Sequence, residues 1–178
     1  MLDRPAVIGG GMSALVASLA LLVQALPANP SGKDPYLITR SSVGGVRIGE
    51  SLASVKRAMP VPPTAVGRYP TQPGLRRGEV VLAYPWFWVT FLRGRAISVE
   101  ADVSGGYRTV RGDGIGTPIS VFRSHWRDAR KVIRDVYDVE ATQSGYVLVF
   151  FFFRPEGLRR IALISRNDLS CRVSGRSC

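Results

Sequence analysis

The single histidine of the sequence, His125, stands between two residue types that can serve nucleophilic catalysis, Ser124 and Asp128. The apolar spacing around them is helical, and adjacent side chains on a helix point roughly 100° apart. Ser124 therefore cannot easily meet the His125 ring, and the sequence favours a surface or half-buried histidine beside Trp126. No HxxE or HxH spacing is present to build a histidine-based metal site. We predict no catalytic residue, no metal and no cofactor.

Glu100 and Asp102 form the second candidate pair for chemistry. They lie two residues apart on a predicted strand and so share one face, where two carboxylates could act as acid and base on a glycan. Charged residues that alternate at the end of a strand are more often a solvated edge. The glycine-rich stretch at 111–116 lacks the Lys-Ser/Thr pair of a phosphate-binding loop. A glycan-acting enzyme is therefore the third and most remote hypothesis.

An aromatic strand, YPWFWVTF at residues 84–91, is the clearest candidate for binding. Alternation along a strand divides its side chains between two apolar faces, with Trp86, Trp88 and Thr90 on one and Phe87, Val89 and Phe91 on the other. One face must pack on the helices, and the other either lies under the loop at 60–78 or faces outward. Phe150 and Phe152 raise the same alternatives in the second half of the chain.

The predicted binding surface combines aromatic side chains with flanking arginines, the residue types that are enriched in binding hot spots. Its members are Tyr84, Trp86, Trp88, Arg93 and Arg95. Exposed indoles reduce solubility, so an exposed pair would indicate a use. The alternative, in which both faces of the strand are buried, stays open at this point.

Two helices are predicted to precede the strands. The first follows Ile48-Gly49, has apolar residues at helical spacing over 52–59, and ends at the proline-rich segment 60–78, which we predict to be an irregular loop. The second follows Ile115-Gly116, with Thr117 as its N-cap and Pro118 as its first helical residue. Continued apolar spacing predicts that this second helix, or a pair of helices, extends to about residue 137.

The strands are predicted from runs of β-branched and aromatic residues. Residues 79–102, interrupted at Pro85 and at Arg93-Gly94, predict two or three strands with a hairpin at the second interruption. Residues 146–167 predict two more strands around a turn at 154–157. Shorter strands are expected at 36–39 and 107–110.

The two halves of the chain present the same succession of extended entry, Ile-Gly, helix, loop, aromatic strand, charged glycine turn and strand. The corresponding positions are Ile48/Ile115, Gly49/Gly116, Leu52/Ile119, Val55/Phe122, Gly94/Gly157 and Ile97/Ile161. We predict an α+β fold of two tandem helix-plus-antiparallel-sheet units that share a core. The first unit covers residues 46–110 and the second residues 111–170, after an extended lead-in at 29–45.

Residues 1–28 have the layout of a secretory signal peptide, with an apolar stretch at 12–26 and either Ala25 or Ala28 before the cleavage site. The alternative is an N-terminal anchor in the inner membrane, although the stretch is shorter than the roughly 20 residues that span a bilayer. We expect a periplasmic or secreted bacterial protein, which after cleavage is not an integral membrane protein.

The only two cysteines, Cys171 and Cys178, stand close together at the end of the chain. In an exported protein they are expected to form a disulfide bond, which would close the C-terminal tail at 171–178 into a small ring. A CxxC redox or metal motif is absent from the sequence.

The charge of the chain bears on its partners. The formal net charge is +11, and 21 of the 24 basic residues are arginines. Such a protein is attracted to polyanions, and because export argues against nucleic acid, the candidates are cell-wall polymers, anionic lipid head groups and acidic proteins. An arginine bias can also follow from the base composition of the genome, so both interpretations stay open.

Tandem units with an exported N-terminus, a helix entry of the form hydrophobic-Gly-x-Ser/Thr and a following antiparallel sheet resemble the β-lactamase inhibitor protein family and the small lipoproteins of the outer-membrane assembly machinery. The entry is Ile48-Gly49-Glu50-Ser51 in this chain, and the resemblance covers about residues 40–168. The resemblance implies a fold of tandem helix-plus-antiparallel-sheet units and the binding of proteins through a concave sheet. The chain departs from these families because it lacks a lipid-bearing cysteine and cysteine pairs within the units, and no inhibitory residue can be mapped.

These observations favour an exported, non-enzymatic protein-binding module, either inhibitor-like or part of envelope assembly. Its expected partner is a protein of the cell envelope or exterior, and nucleic acid is not expected. The alternative function is a basic protein that binds an anionic polymer or glycan of the cell envelope.

Overall fold

The computed structural model describes residues 34–59, 61–68, 71 and 75–169. The predicted signal peptide at 1–28, its alternative as an anchor, and the predicted Cys171–Cys178 disulfide all lie outside these residues. No helix among the described residues is long and apolar enough to cross a membrane.

The described residues form two α-helices and ten β-strands, with 3₁₀ turns at Val103–Gly105 and Arg166–Asp168. The helices are α1 (Leu52–Ala58) and α2 (Ile119–His125). The strands are β1 (Leu37–Ile38), β2 (Ala65–Arg68), β3 (Glu79–Tyr84), β4 (Phe87–Leu92), β5 (Arg95–Asp102), β6 (Arg108–Thr109), β7 (Arg130–Ile133), β8 (Val136–Glu140), β9 (Tyr146–Phe153) and β10 (Gly157–Ser165).

Eight of the strands form one antiparallel sheet in the order β2-β3-β4-β5-β10-β9-β8-β7, and β1 pairs with β6 in a separate parallel ribbon. Strands β2 to β5 follow α1 as a meander, and β7 to β10 follow α2 in the same way. The two meanders meet where their last strands, β5 and β10, pair. The α+β class is confirmed as two helices on a large antiparallel sheet, with sheet as the main component.

The two faces of this sheet have different cores. On the helix face, Val55 of α1 and Phe122 of α2 are fully buried with alternate residues of the strands, such as Val89, Val99 and Leu163. We call the opposite side the far face. It carries a smaller buried cluster on β8, β9 and β10, and Leu169, directly after the second 3₁₀ turn, also belongs to it. The members of that cluster are Val136, Val147, Val149, Ala162, Ile164 and Leu169.

Helix α1 agrees with its prediction, whereas α2 is much shorter than predicted. The Ser51 hydroxyl caps α1 by accepting a bond from the Ser54 amide at 3.1 Å, and the helix ends before the prolines. The prediction of a helix to about residue 137 is wrong, because α2 ends at His125 and residues 130–140 form the hairpin of β7 and β8. The apolar residues there fit a strand as well as a helix, and pairing with β9 decides in favour of the strand.

Three smaller predictions, on the cap of α2, on a loop and on two short strands, are also corrected. The N-cap of α2 is Pro118, which has no capping side-chain bond, while the predicted cap Thr117 accepts a bond from the Gly114 amide at 3.0 Å. The segment 60–78 is not wholly irregular, because β2 lies within it and pairs with β3. The predicted strands at 36–39 and 107–110 are each reduced to two residues.

Both helices are tied to the sheet through a glycine with positive φ. The Gly49 amide donates to the Ala96 carbonyl at 2.8 Å, and the Ala96 amide donates back to Glu50 at 2.9 Å. In the second half, the Gly116 amide donates to the Leu158 carbonyl at 3.2 Å. The φ angles of Gly49 and Gly116 are +86° and +77°. Each helix therefore starts from a turn bonded to the hairpin of its own meander.

The contact between Gly116 and Gly157 gives a test of this arrangement. A Cβ added at Gly157 would lie 2.7 Å from the Gly116 carbonyl oxygen, whereas one added at Gly49 would meet nothing within 4 Å. Gly49 and Gly157 both have positive φ, which is unfavourable for alanine. G49A is therefore expected to lower the free energy of unfolding by about 1 kcal/mol. G157A adds a backbone clash and is expected to cost at least twice as much in urea-unfolding measurements. Equal costs would contradict the close packing at Gly157.

Candidate functional site

Four aromatic side chains lie along one end of the far face, and we call this region the aromatic end. Its members are Trp86, Trp88, Phe151 and Phe153. Trp86 and Phe153 are 53% and 46% exposed, and Trp88 and Phe151 are half-buried. β4, β5, β10 and β9 are adjacent, so three strand spacings of about 4.8 Å separate the indole side from the phenyl side. The aromatic end is thus a surface some four strands wide.

The position of Trp86 differs from the prediction. It lies in the two-residue turn between β3 and β4 rather than on the strand, and its φ is +61°. Its carbonyl accepts a bond from the Asp102 amide at 2.9 Å, which fixes the turn to β5. Its Cβ lies so close to Gly105 that a Cβ on that glycine would approach to 2.5 Å. The indole is therefore held on one side and exposed on the other.

Charged side chains lie between the aromatic residues. Across the strands, Asp102 is in register with Arg160, and Arg160 is in register with Phe151. The Arg160 guanidinium lies 5.9 Å from the centre of the Phe151 ring, and Arg159 pairs with Asp102 at 3.5 Å. Arg160 is exposed. The surface therefore offers a cation that already lies against an aromatic ring.

Asp102 stays ionised at this site. Burial alone would raise its pKa, but bonds from the Ser104 hydroxyl and amide and the nearby Arg159 charge outweigh burial and hold the pKa below its ordinary value. The pair of Asp102 and Arg159 therefore persists through the neutral and mildly acidic range, and this part of the surface keeps both signs of charge. Glu100, its predicted partner for acid–base chemistry, lies on the same face opposite Trp88.

Three of the five predicted binding residues lie elsewhere. Tyr84 is 4% exposed and packs in the helix-face core, with its ring centre 6.1 Å from that of Phe87. Arg93 and Arg95 flank the hairpin at the other end of β4, about 20 Å along the strand from Trp86. Arg95 there donates to the Gly49 carbonyl at 3.2 Å. The structure therefore does not bring these two arginines to the indoles.

Sequence reasoning missed the second half of the aromatic end. It singled out Phe150 and Phe152, which are buried in the helix-face core, whereas Phe151 and Phe153 alternate with them onto the far face. Because all four residues of the run at 150–153 are phenylalanines, the sequence does not show which of them face the core and which face outward. Arg160, directly across from Phe151, and its neighbour Arg159 were not predicted either, because they follow the intervening turn.

The hydroxyl of Tyr84 provides a test of its placement. This buried oxygen has no hydrogen-bond partner within the described part of the chain, and burial raises the pKa of the phenol. Removing an unsatisfied buried hydroxyl relieves its desolvation, so Y84F is expected to leave the free energy of unfolding unchanged or to raise it by up to about 1 kcal/mol. A substantial loss of stability in chemical denaturation would show that the hydroxyl has a partner.

Ion pairs occupy other parts of the far face. Arg76 bonds the buried Glu79 at 2.7 Å and also contacts Asp168 at 3.1 Å. Arg130 pairs with the buried Asp138 and with Glu140, at 3.3 and 3.2 Å respectively. Part of the arginine excess thus neutralises carboxylates of the sheet itself, and these parts of the face offer fewer unpaired cations than the sequence suggests.

The residues of the hypothetical catalytic triad do not assemble. The Ser124 hydroxyl donates to the Val121 carbonyl at 2.7 Å, and Asp128 pairs with Arg40 at 2.7 Å. His125 instead contacts the buried carboxylate of Asp113, with 2.8 Å between Nδ1 and Oδ1. Its side chain is 38% exposed.

Asp113 fastens the loop before α2 to the end of that helix. Its carboxylate accepts bonds from the Trp126 indole at 2.7 Å and from the Thr109 hydroxyl at 2.9 Å, besides its contact with His125. These partners explain why a fully buried carboxylate is tolerated. The cluster is a structural clamp.

Replacement of Asp113 tests the clamp. An asparagine keeps the size but presents an amide donor to one of the three partners, so D113N is expected to cost roughly 3 kcal/mol of unfolding free energy. The control D128N removes only an exposed ion pair and is expected to cost less than about 1 kcal/mol. Similar losses for the two variants in urea unfolding would contradict a specific role for the buried carboxylate.

No group of three or more His, Cys, Asp and Glu side chains in the described ranges could hold a metal ion. Comparison with known proteins gives no further guidance. No protein-family model matches the chain, no curated protein matches it, and no solved structure matches it. The candidate site therefore rests on the geometry of the aromatic end.

Proposed function

We propose that this chain is an exported, non-enzymatic protein-binding module and that the aromatic end of the far face is its contact surface. The observation that carries the proposal is the exposure of Trp86 and Phe153 on opposite sides of a surface that also presents Arg160. Trp and Arg are the residue types that most often dominate binding energy at protein interfaces. A polymer that is bound through charge alone would need the arginines and would not need the two exposed aromatic rings.

Rigidity at the aromatic end supports this proposal. The backbone of Trp86 is bonded to Asp102, and its Cβ packs on Gly105. Phe151 and Phe153 lie on β9, which is paired on both sides over most of its length. Aromatic side chains that are fixed before binding lose little conformational entropy when a partner contacts them, which favours affinity.

We also propose that the fold consists of two tandem copies of one helix-plus-meander unit, as the resemblance to the β-lactamase inhibitor family and the envelope-assembly lipoproteins implies. The mirrored strand order on either side of the β5–β10 pair supports this proposal. So does the similar bonding of Gly49 to Ala96 and of Gly116 to Leu158, each ahead of a seven-residue helix. In this proposal the far face is the surface through which such folds bind proteins.

Export belongs to the same proposal. A signal peptide at residues 1–28 and a disulfide between Cys171 and Cys178 would place the protein in the periplasm or outside the cell. The intact mass of the protein from its own cells tests both points. Cleavage after Ala25 or Ala28 and a mass two hydrogens below that of the reduced chain are the expected results.

Substitution of the exposed aromatic residues tests the binding function. W86A and F153A should each weaken binding to a partner isolated from cell-envelope extract by about 30-fold, which corresponds to about 2 kcal/mol. The matched control is V66A, because Val66 is 47% exposed on the edge strand β2 and, in register with the buried Leu82, lies on the helix face of the sheet. Titration calorimetry measures the affinities, and circular dichroism checks that each variant is folded.

Ionic strength separates this function from its alternatives. A protein interface centred on aromatic residues should persist at high salt, whereas binding to an anionic polymer or glycan should weaken steeply. Unchanged affinity in W86A and F153A, together with strong salt dependence, would favour the polyanion function. Hydrolysis of envelope glycans that is lost in E100Q would instead support the enzyme hypothesis.

A further inference from the structure

A second surface, on the helix side of the molecule, exposes three aliphatic side chains. Val110, Ile115 and Val121 are 57%, 59% and 42% exposed, and they come from a single stretch of twelve residues. We call this region the aliphatic patch. Its residues lie on the loop before α2 and on α2 itself, and none of them belongs to the aromatic end.

The loop of the aliphatic patch runs alongside α2. Near its end, Gly114 donates to Thr117 just ahead of the helix, while at its start the Arg111 guanidinium lies 4.5 Å from the ring centre of Trp126 at the helix end. A seven-residue helix is about 10 Å long. Ile115 therefore lies near the start of α2, Val110 near its end, and Val121 on the helix between them.

The clamp at Asp113 holds this loop in place. Asp113 lies between Val110 and Ile115 in the chain, and its buried carboxylate accepts bonds from Thr109 at the end of β6 and from Trp126 at the helix end. His125, one helical turn after Val121, contacts the same carboxylate. The aliphatic side chains are thus displayed by a fixed frame, and their exposure is not the result of a loosely packed loop.

The charge around the aliphatic patch is positive. Residues 107–127 contain four arginines and one acidic residue, and that residue is the buried Asp113. The neighbouring acidic side chains already have partners, since Asp128 pairs with Arg40 and Asp34 pairs with Arg108 at 2.8 Å. Arg111, next to Val110, is exposed.

We propose that the aliphatic patch binds the surface of a bilayer that contains anionic lipids. Aliphatic side chains enter the boundary between head groups and acyl chains, while arginines beside them bind lipid phosphates. A soluble polyanion would engage the arginines and leave Val110, Ile115 and Val121 in water. Valine is under-represented among the hot spots of protein interfaces, so the composition of this patch favours lipid over a protein partner.

The test compares binding of the full chain to vesicles of phosphatidylglycerol and phosphatidylcholine with binding to phosphatidylcholine alone. The combined variant V110S/I115S/V121S should bind anionic vesicles about tenfold more weakly in sedimentation assays. The matched control V61S/V66S alters two side chains that are each 47% exposed, one ahead of the edge strand β2 and one on it, and should bind like the wild type.

A local measurement is needed because the apolar stretch at 12–26 could carry the full chain to vesicles by itself. Nitroxide-labelled lipids in anionic bicelles should broaden the methyl NMR signals of Val110, Ile115 and Val121 and leave that of Val66 sharp. Absence of this broadening would overturn the proposal. So would wild-type binding to anionic vesicles by the serine variant combined with loss of binding in R111Q, which would indicate attraction by charge alone.

Discussion

The antiparallel pairing of β5 with β10 is the contact on which the rest of the structure depends. It joins the two meanders, and its register places Ala101 opposite Ile161 and Val99 opposite Leu163 on the helix face. These four residues are at most 1% exposed. A slip of β10 by one residue would turn Ile161 and Leu163 to the far face and bring Arg160 into the core. Hydrophobic burial on the helix face therefore also sets which charges and aromatic rings the far face presents.

Local sequence signals predicted those parts of the fold in which propensity and tertiary contacts agree. The hairpin at Arg93-Gly94 has a glycine where the turn requires one, and the strands around it are rich in β-branched residues. The segment after Trp126 was predicted wrongly as helix. Its apolar residues fit the periodicity of a helix and that of a strand, and only the pairing of β8 with β9 decides between the two. Pro85 indicated the interruption, but Trp86 was assigned to the strand because nothing local shows that the turn includes the tryptophan.

The candidate site was predictable only in part, for a related reason. Trp86 and Trp88 stand out by residue type, but the other members of the surface, on β9 and β10, lie more than sixty residues later in the chain. Which phenylalanine of the run at 150–153 faces outward depends on register across the sheet. Arg93 and Arg95 are close to the indoles in sequence but are separated from them by the length of β4. Proximity along a strand is thus a poor guide to the composition of a surface.

The left-handed backbone of Trp86 sets stability and function against each other. A φ of +61° is unfavourable for a side chain with a Cβ and costs about 1 to 2 kcal/mol relative to glycine, which adopts it freely. Glycine at this turn would therefore raise the melting temperature while removing the indole. A laboratory selection for thermal stability alone should discard the tryptophan, whereas a selection for partner capture should retain it, so the two selections would diverge first at this turn.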